Sequence, residues 1–258
     1  MTDLSGTHGV IVGVANKRSL AWAIARAMDA AGAQLTLSYA TERFENHVRK
    51  LGATLQRPPL IVPCDVTSDD QIRELFAAVE REHGGLDFLV HAVAFASREA
   101  ISDPFLETSR ADFLQSLDVS VYSLVTLARA AAPLMDRQGG GSILTLTYLG
   151  SQRVFPNYNV MGVAKAALEA VVRYLASDLG PRNIRVNAVS AGPIKTLSSA
   201  GISGFSQILQ HYRDRSPLRR TVDAEEVAET ARFLLGPGGR GMTGEVLLVD
   251  GGFHGTGM

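Results

Sequence analysis

The chain has 258 residues and a single cysteine, Cys64, so no disulfide can form within it. Its place at the end of an apolar run suits a small buried side chain, and the pattern fits a reducing cytoplasm. Charge of one sign is also lacking: 25 basic residues face 26 acidic ones, a formal net charge of -1 that excludes the electrostatic footprint of a nucleic-acid binder. No window of about 18 uninterrupted apolar residues appears, and Met1–Gly6 lacks a basic stretch followed by an apolar core, so neither a membrane span nor a targeting segment is expected. The six histidines show no metal-ligand spacing, and no metal site is expected. Lysine is scarce: Lys17, Lys50, Lys165 and Lys195 are the only four, the other basic residues being arginine.

What is present is a 46% hydrophobic composition, enough for a substantial core. Apolar runs of strand length alternate with stretches of helical period, which predicts repeated βαβ units. Strands are expected at 10–14, 35–39, 60–64, 88–91, 143–147, 185–190 and 246–249, and helices at 20–31, 42–51, 69–82, 109–135, 158–179 and 224–235. The expected fold is α/β: a single Rossmann-like doubly wound domain over residues 1–258, with a seven-stranded parallel sheet flanked by helices. In such a sheet ligands bind beyond the carboxyl ends of the strands. The stretch 194–212 stands apart, with Gly201 and Gly204 among Leu197, Ile202, Phe205, Ile208 and Leu209; it reads as a substrate-binding lid or as an ordinary surface helix.

Four loops at strand ends are candidates for binding a dinucleotide. The turn from Gly13 through Ala15 and Ser19 to Leu20 leads from the first strand into the first helix, where free backbone N–H groups and the positive helix end suit a pyrophosphate. It is not G-x-G-x-x-G, since Ala15 and Ser19 stand where glycines are usual, and by itself it reads equally as a plain strand-to-helix connection. Asp65, followed by Val66, offers a carboxylate to an adenine amino group or caps the next helix, although Thr67 and Ser68 are better placed for that. The small residues around Val93, from His91 to Ala96, allow a flat ring to approach. Ala191-Gly192-Pro193-Ile194-Lys195-Thr196 suits a carboxamide held by backbone groups. The second strand ends in Ser38-Tyr39-Ala40-Thr41-Glu42-Arg43, which offers both an acid and an arginine; with no basic residue at Ala40 or Thr41 the expectation is NADH, with NADPH not excluded.

Tyr158 and Lys165 lie seven positions apart at the start of a long apolar helix, on one face and about 10 Å apart along the axis. A lysine ammonium there can hold ribose hydroxyls, while a tyrosine hydroxyl donates to an oxygen that gains negative charge. With the Gly13–Ser19 turn, Asp65-Val66, Tyr148-Leu149-Gly150, Tyr158-Asn159-Val160-Met161-Gly162-Val163-Ala164-Lys165, the run Arg185–Thr196, Thr243-Gly244-Glu245 and Val249-Asp250-Gly251-Gly252, the chain resembles the short-chain dehydrogenase/reductases, and within them the enoyl-acyl-carrier-protein reductases. The resemblance covers nearly the whole length. Ordinary members of the larger family carry Tyr-x-x-x-Lys, a catalytic serine before it and an Asn-Ala-Gly segment after the fourth strand. Here the spacing is Tyr-x6-Lys, and Tyr148 stands in place of the serine, either touching substrate or walling the acyl pocket.

The resemblance implies reduction of the trans-2 double bond of enoyl-acyl-carrier-protein thioesters in fatty-acid elongation, with Tyr148, Tyr158 and Lys165 as the catalytic set. It implies cofactor contacts from Gly13, Ala15, Ser19, Leu20, Ala40, Asp65, Val66, Val93, Lys165, Ile194, Lys195, Thr196, Leu197 and Ser198. Substrate would meet Phe95, Ala96, Tyr148, Tyr158, Met161, Ile202 and Phe205, with Pro156 and Ala200 nearby. Arg213, Arg215, Arg219 and Arg220 either guide the acidic acyl carrier protein or form a solvated face. A cytoplasmic homotetramer is implied, the helices at 109–135 and 158–179 packing between subunits. The alternatives are a 3-oxoacyl thioester reductase on the same fold and a non-catalytic dinucleotide sensor.

Overall fold

Alternation along β1 (His8–Val12) sets the architecture, because Val10 and Val12 point into one apolar core and Ile11 into another on the opposite face of the same sheet. The computed structural model describes residues 3–196, 199 and 204–256. Its strands β2 (Gln34–Tyr39), β3 (Leu60–Pro63), β4 (Phe88–His91), β5 (Gly141–Thr147), β6 (Ile184–Ala191) and β7 (Val246–Val249) join β1 in one parallel seven-stranded sheet of order β3-β2-β1-β4-β5-β6-β7. The order reverses between β1 and β4. Neighbouring crossovers therefore leave on opposite faces there and open a crevice at the carboxyl ends.

One face is covered by α3 (Asp69–His83), α6 (Ser123–Asp136) and α7 (Asn159–Leu179), the other by α1 (Leu20–Ala30), α2 (Glu42–Gly52) and α9 (Ala224–Leu235). Capping fixes the entries of several helices. Ser19 accepts from the Trp22 N–H, Ser68 from that of Gln71, and Asp223 with Glu226 forms a reciprocal capping box.

The expected strands and helices are all found, with three informative differences. β1 ends at Val12, two residues early, because Gly13 turns the chain at φ +102°, where an added Cβ would sit 2.4 Å from the Ala92 carbonyl oxygen. The helix expected at 109–135 is three pieces: α5 (Arg110–Leu117), a π-helical turn (Asp118–Tyr122) and α6. Taken together, Arg110–Asp136 is long and apolar enough to cross a membrane, but 56% of its most apolar window is buried inside the fold. Finally, α4 (Arg98–Ser102) is an additional helix, and the stretch read as a lid or a surface helix carries α8 (Phe205–Arg215), which begins after Gly204 at φ +76°.

Candidate active site

Beyond the carboxyl ends of β1, β4, β5 and β6 lies a cavity of about 400 Å³. Its dinucleotide-like end is the turn into α1. There Asn16 accepts from the Arg18 N–H through its side chain (2.8 Å) and from the Ser19 N–H (3.1 Å) and Ser19 hydroxyl (2.8 Å) through its carbonyl. This Asx-type turn sets the start of α1 so that Leu20 and Ala21 line the cavity with the helix's first amides, which have no partner within the helix. Across from it, the Ala92–Ala96 loop is held at its tip by Ser120 of the π-helical turn. The Ser120 hydroxyl accepts from the Phe95 N–H (3.0 Å) and donates to the Phe95 carbonyl (3.2 Å).

Lys165 is only 7% exposed, and its Nζ donates to the Leu146 carbonyl at the end of β5 (2.8 Å). Burial pulls its pKa down to about 8, against the opposing pull of the Glu169 carboxylate. An ammonium has three donors, so the bond to Leu146 leaves two for a ligand such as a vicinal diol. Tyr158 caps α7, with its ring edge-on to Tyr148 at 5.0 Å between centroids. Burial, with smaller contributions from Tyr148 and Glu169, pushes its hydroxyl well above the ordinary phenol range, which keeps it a proton donor. Close approach of the two rings depends on Gly150, where a Cβ would fall 2.5 Å from the Tyr158 ring and 3.0 Å from that of Tyr148.

The opposite wall comes from α8. Phe205 and Ile208 line the cavity, while the buried Tyr212 donates its hydroxyl hydrogen to the Tyr148 hydroxyl at 3.4 Å. Tyr212 stacks on Phe253 with ring centroids 3.8 Å apart. The Phe253 turn is in turn held by Asp250, which accepts from the backbone N–H groups of Gly252 and His254, each at 2.9 Å. Burial raises the hydroxyls of both Tyr148 and Tyr212, so this aromatic cluster is neutral.

Of the residues singled out from sequence, Gly13, Ala15, Ser19, Leu20, Val93, Ile194 and Thr196 come together on the lining with Lys165, Tyr148 and Tyr158. So do Phe95, Ala96, Met161 and Phe205. Ala40, Asp65, Val66, Lys195 and Pro156 are not on it. Asp65 accepts from the Thr67 N–H (3.0 Å) and hydroxyl (2.8 Å), so its carboxylate already organises the turn before α3, while Val66 packs into the core. Leu197, Ser198, Ala200 and Ile202 lie outside the described residues.

Sequence reasoning left Asn16, Ile101, Thr147, Phe155 and Ser199 unassigned, yet all five line the cavity. Asn16 in a strand-to-helix turn is a signal that turn chemistry could have supplied. Ile101 had none, because it is brought in by α4, which is tied to α7 through the Asn159 side-chain amide donating to the carbonyls of Ile101 (3.3 Å) and Asp103 (2.8 Å).

Comparison with known proteins agrees with this geometry. The family model described as enoyl-(acyl carrier protein) reductase matches residues 13–254. The chain is 52% identical to the Bacillus subtilis enoyl-[acyl-carrier-protein] reductase [NADH] FabI, over 98% of this chain and 97% of the relative. It is 47% identical to a Staphylococcus aureus relative named as the NADPH enzyme, over 98% and 99%. The crystal structure of the Bacillus cereus enoyl-acyl carrier protein reductase with NADP+ and an indole naphthyridinone superposes with a TM-score of 0.97 at 50% identity, covering 100% of both chains. With the expected fold, the tyrosine and lysine in one cavity and full-length similarity, the chain belongs to the enoyl-(acyl carrier protein) reductase family.

Proposed function

We infer that the protein reduces the trans-2 double bond of enoyl-acyl-carrier-protein thioesters with NADH, in the elongation cycle of fatty-acid synthesis. The observation that carries this reading is the placement of Tyr158 two helical turns from Lys165 and edge-on to Tyr148, all three in one cavity. The three extra residues in Tyr-x6-Lys move the tyrosine by about 4.5 Å of helix rise relative to the usual Tyr-x-x-x-Lys. That shift suits a thioester oxygen beyond the reacting double bond rather than a carbonyl that itself receives hydride.

NADH, when bound, supplies the hydride added at C3 of the enoyl group. Lys165 holds the nicotinamide ribose with the donors that Leu146 leaves free. The Tyr158 hydroxyl donates to the thioester oxygen as charge accumulates there, and Tyr158 or water supplies the proton at C2. Tyr148 and Met161 wall the acyl group with Phe95, Ala96, Phe205 and Ile202, and the segment 194–212 acts as the lid that excludes water. At the other end, Gly13, Ala15, Ser19 and Leu20 take the pyrophosphate. Ala40, Asp65 and Val66 would hold the adenosine end, and Val93 with Ile194, Lys195, Thr196, Leu197 and Ser198 the nicotinamide end. NADH is favoured because no basic residue stands at Ala40 or Thr41 after β2, and the nearby Arg43 guanidinium lies over the Phe44 ring, 4.6 Å from its centroid.

The domain is single, cytoplasmic and homotetrameric in this reading. Support for the assembly comes from Leu114, Tyr122, Val163 and Tyr174, large apolar side chains left exposed along α5, the π-helical turn and α7. The buried Cys64 thiol, pushed up to about 12 by its surroundings, is unreactive and suits a reducing compartment. For the acidic carrier, Arg213 and Arg215 are exposed on α8, whereas Arg219 bonds the Asp214 carbonyl and Arg220 pairs with Glu226 at 2.6 Å.

The test is loss of the reduced-nicotinamide signal when the protein meets NADH or NADPH with a short trans-2-enoyl thioester, run beside a 3-oxoacyl thioester. NADH consumption with the enoyl substrate alone is expected. Turnover of the 3-oxo substrate alone would transfer the protein to the carbonyl-reducing reaction, and cofactor binding without any turnover would make it a sensor.

A further inference from the structure

Lys165 is not the only buried charge on α7. Glu169, one turn further along the same face, is 6% exposed, and the proposed chemistry gives it no part. Charged side chains are rarely buried so deeply without a partner of opposite sign. The partners of both residues come from two consecutive positions at the end of β5. The Leu146 carbonyl accepts from Lys165 Nζ, and the Thr147 hydroxyl donates to Glu169 Oε1, each at 2.8 Å. One strand end thus fixes the ammonium and the carboxylate together, immediately before Tyr148.

We propose that Glu169 is a positioning residue that keeps Lys165 cationic for cofactor binding, with Thr147 aiming its carboxylate. This inference rests on the role given to Lys165 above. The field of Glu169 opposes the desolvation that depresses the Lys165 pKa, and it also keeps the proton on Tyr158. One carboxylate therefore favours the protonated form of both groups.

Among the described residues, no other charge near Lys165 does this. His91 of β4 is buried, with its ring nitrogens engaged by Thr145 and Ser123, each at 2.8 Å, and burial drives its pKa to about 3, so it is neutral. Tyr148 and Tyr158 are neutral phenols. On the elements packed against α7, Arg98 and Glu99 of α4, Arg110 of α5, Asp118 of the π-helical turn, Arg129 and Asp136 of α6 and Arg182 are exposed. The Asp112 carboxylate of α5 accepts from the Ser109 hydroxyl, and Arg185 of β6 is turned to the carbonyls of Leu234 and Gly239. On α7 itself Arg173 and Asp178 face solvent.

The experiment is NADH affinity, read by fluorescence titration from pH 6 to 10, beside kcat/KM over the same range and thermal melting, for wild type, Glu169→Gln, Glu169→Asp and Thr147→Val. Glutamine keeps the volume and an acceptor for Thr147 but loses the charge. Wild-type affinity is expected to weaken above about pH 8, where Lys165 loses its proton. In Glu169→Gln this limb moves down by about one pH unit, with near-wild-type binding at pH 6. Aspartate restores most of the shift. Thr147→Val, which leaves the carboxylate unaimed, moves the limb in the same direction by less and serves if the glutamine variant does not fold.

A limb that coincides with wild type in the variants, or a loss equal at every pH that follows the melting temperature, would overturn the proposal. Wild type that binds NADH yet reduces no enoyl thioester would defeat the functional reading and leave this one standing.

Discussion

Tyr158 was legible as chemistry because its distance from Lys165 is a property of one helix, and helical geometry can be read from numbers alone. The structure adds that the tyrosine is half-buried and protonated, with its ring held by Tyr148 and Gly150. Replacing the hydroxyl while keeping the ring isolates its contribution: Tyr158→Phe is expected to lower kcat by about 10²-fold, or about 2.7 kcal/mol in activation free energy. NADH affinity, measured in parallel, should stay within about twofold, since Lys165 holds the ribose; unchanged turnover with every enoyl thioester would remove the role. Asn16, Thr147 and Tyr212 were not legible in this way. Each acts through a partner set by the fold: the Asn16 turn closes only when α1 is capped, Thr147 meets Glu169 across the sheet face, and Tyr212 reaches Tyr148 through α8.

At the scale of elements, local pattern located every strand but did not reveal how loops are braced. The apolar period continues through 109–135, so the sequence reads as one helix; the π-helical turn at Asp118–Tyr122 leaves that pattern intact while turning Ser120 onto the Phe95 backbone. Likewise, 194–212 read as either a lid or a surface helix. From Phe205 it is a helix that runs on to Arg215 and buries Leu209 and Tyr212 while Phe205 and Ile208 face the cavity. The short turn at 149–151 shows how tightly these elements meet. Gly162 of α7 also packs there, where a Cβ would lie 2.8 Å from the Gly150 carbonyl oxygen. Gly150→Ala must therefore push the Tyr158 ring away or open the contact between the turn and α7. The expected result is a kcat at least tenfold lower and a stability loss of about 1–3 kcal/mol, measured by turnover and urea unfolding. Wild-type values for both would mean that the tyrosines tolerate the methyl without moving.

Across the whole molecule, the strand ends that build the site have counterparts at the opposite edge of the sheet, where the fold carries an acid-sensitive pair that sequence spacing does not reveal. His8 begins β1 and His83 ends α3, 75 positions apart, yet their rings stack at 3.4 Å between centroids. His8 Nε2 meets the Thr36 hydroxyl at 3.1 Å, while His8 Nδ1 and His83 Nε2 are buried without a partner among the described residues. Burial, reinforced by the neighbouring His83, lowers the His8 pKa to about 3, burial also lowers that of His83, and His91 behind the active site is likewise lowered to about 3. In the unfolded chain these imidazoles titrate near 6.5. Because the folded pKa values lie below that, their contribution to stability is complete above about pH 6.5 and is lost as the pH falls from there towards 3. His8 and His91 each cost about 1.4 kcal/mol per pH unit across that window, together about 2.7. Asp87, whose pKa burial raises, recovers part of this near its own titration. The urea midpoint should accordingly hold steady from pH 8 to 7 and fall steeply between pH 6 and 4. His8→Gln, which cannot take up a proton in this range, should roughly halve the slope. A midpoint that is flat down to pH 5, or a slope that His8→Gln leaves unchanged, would show that the stacked pair opens to solvent at little cost.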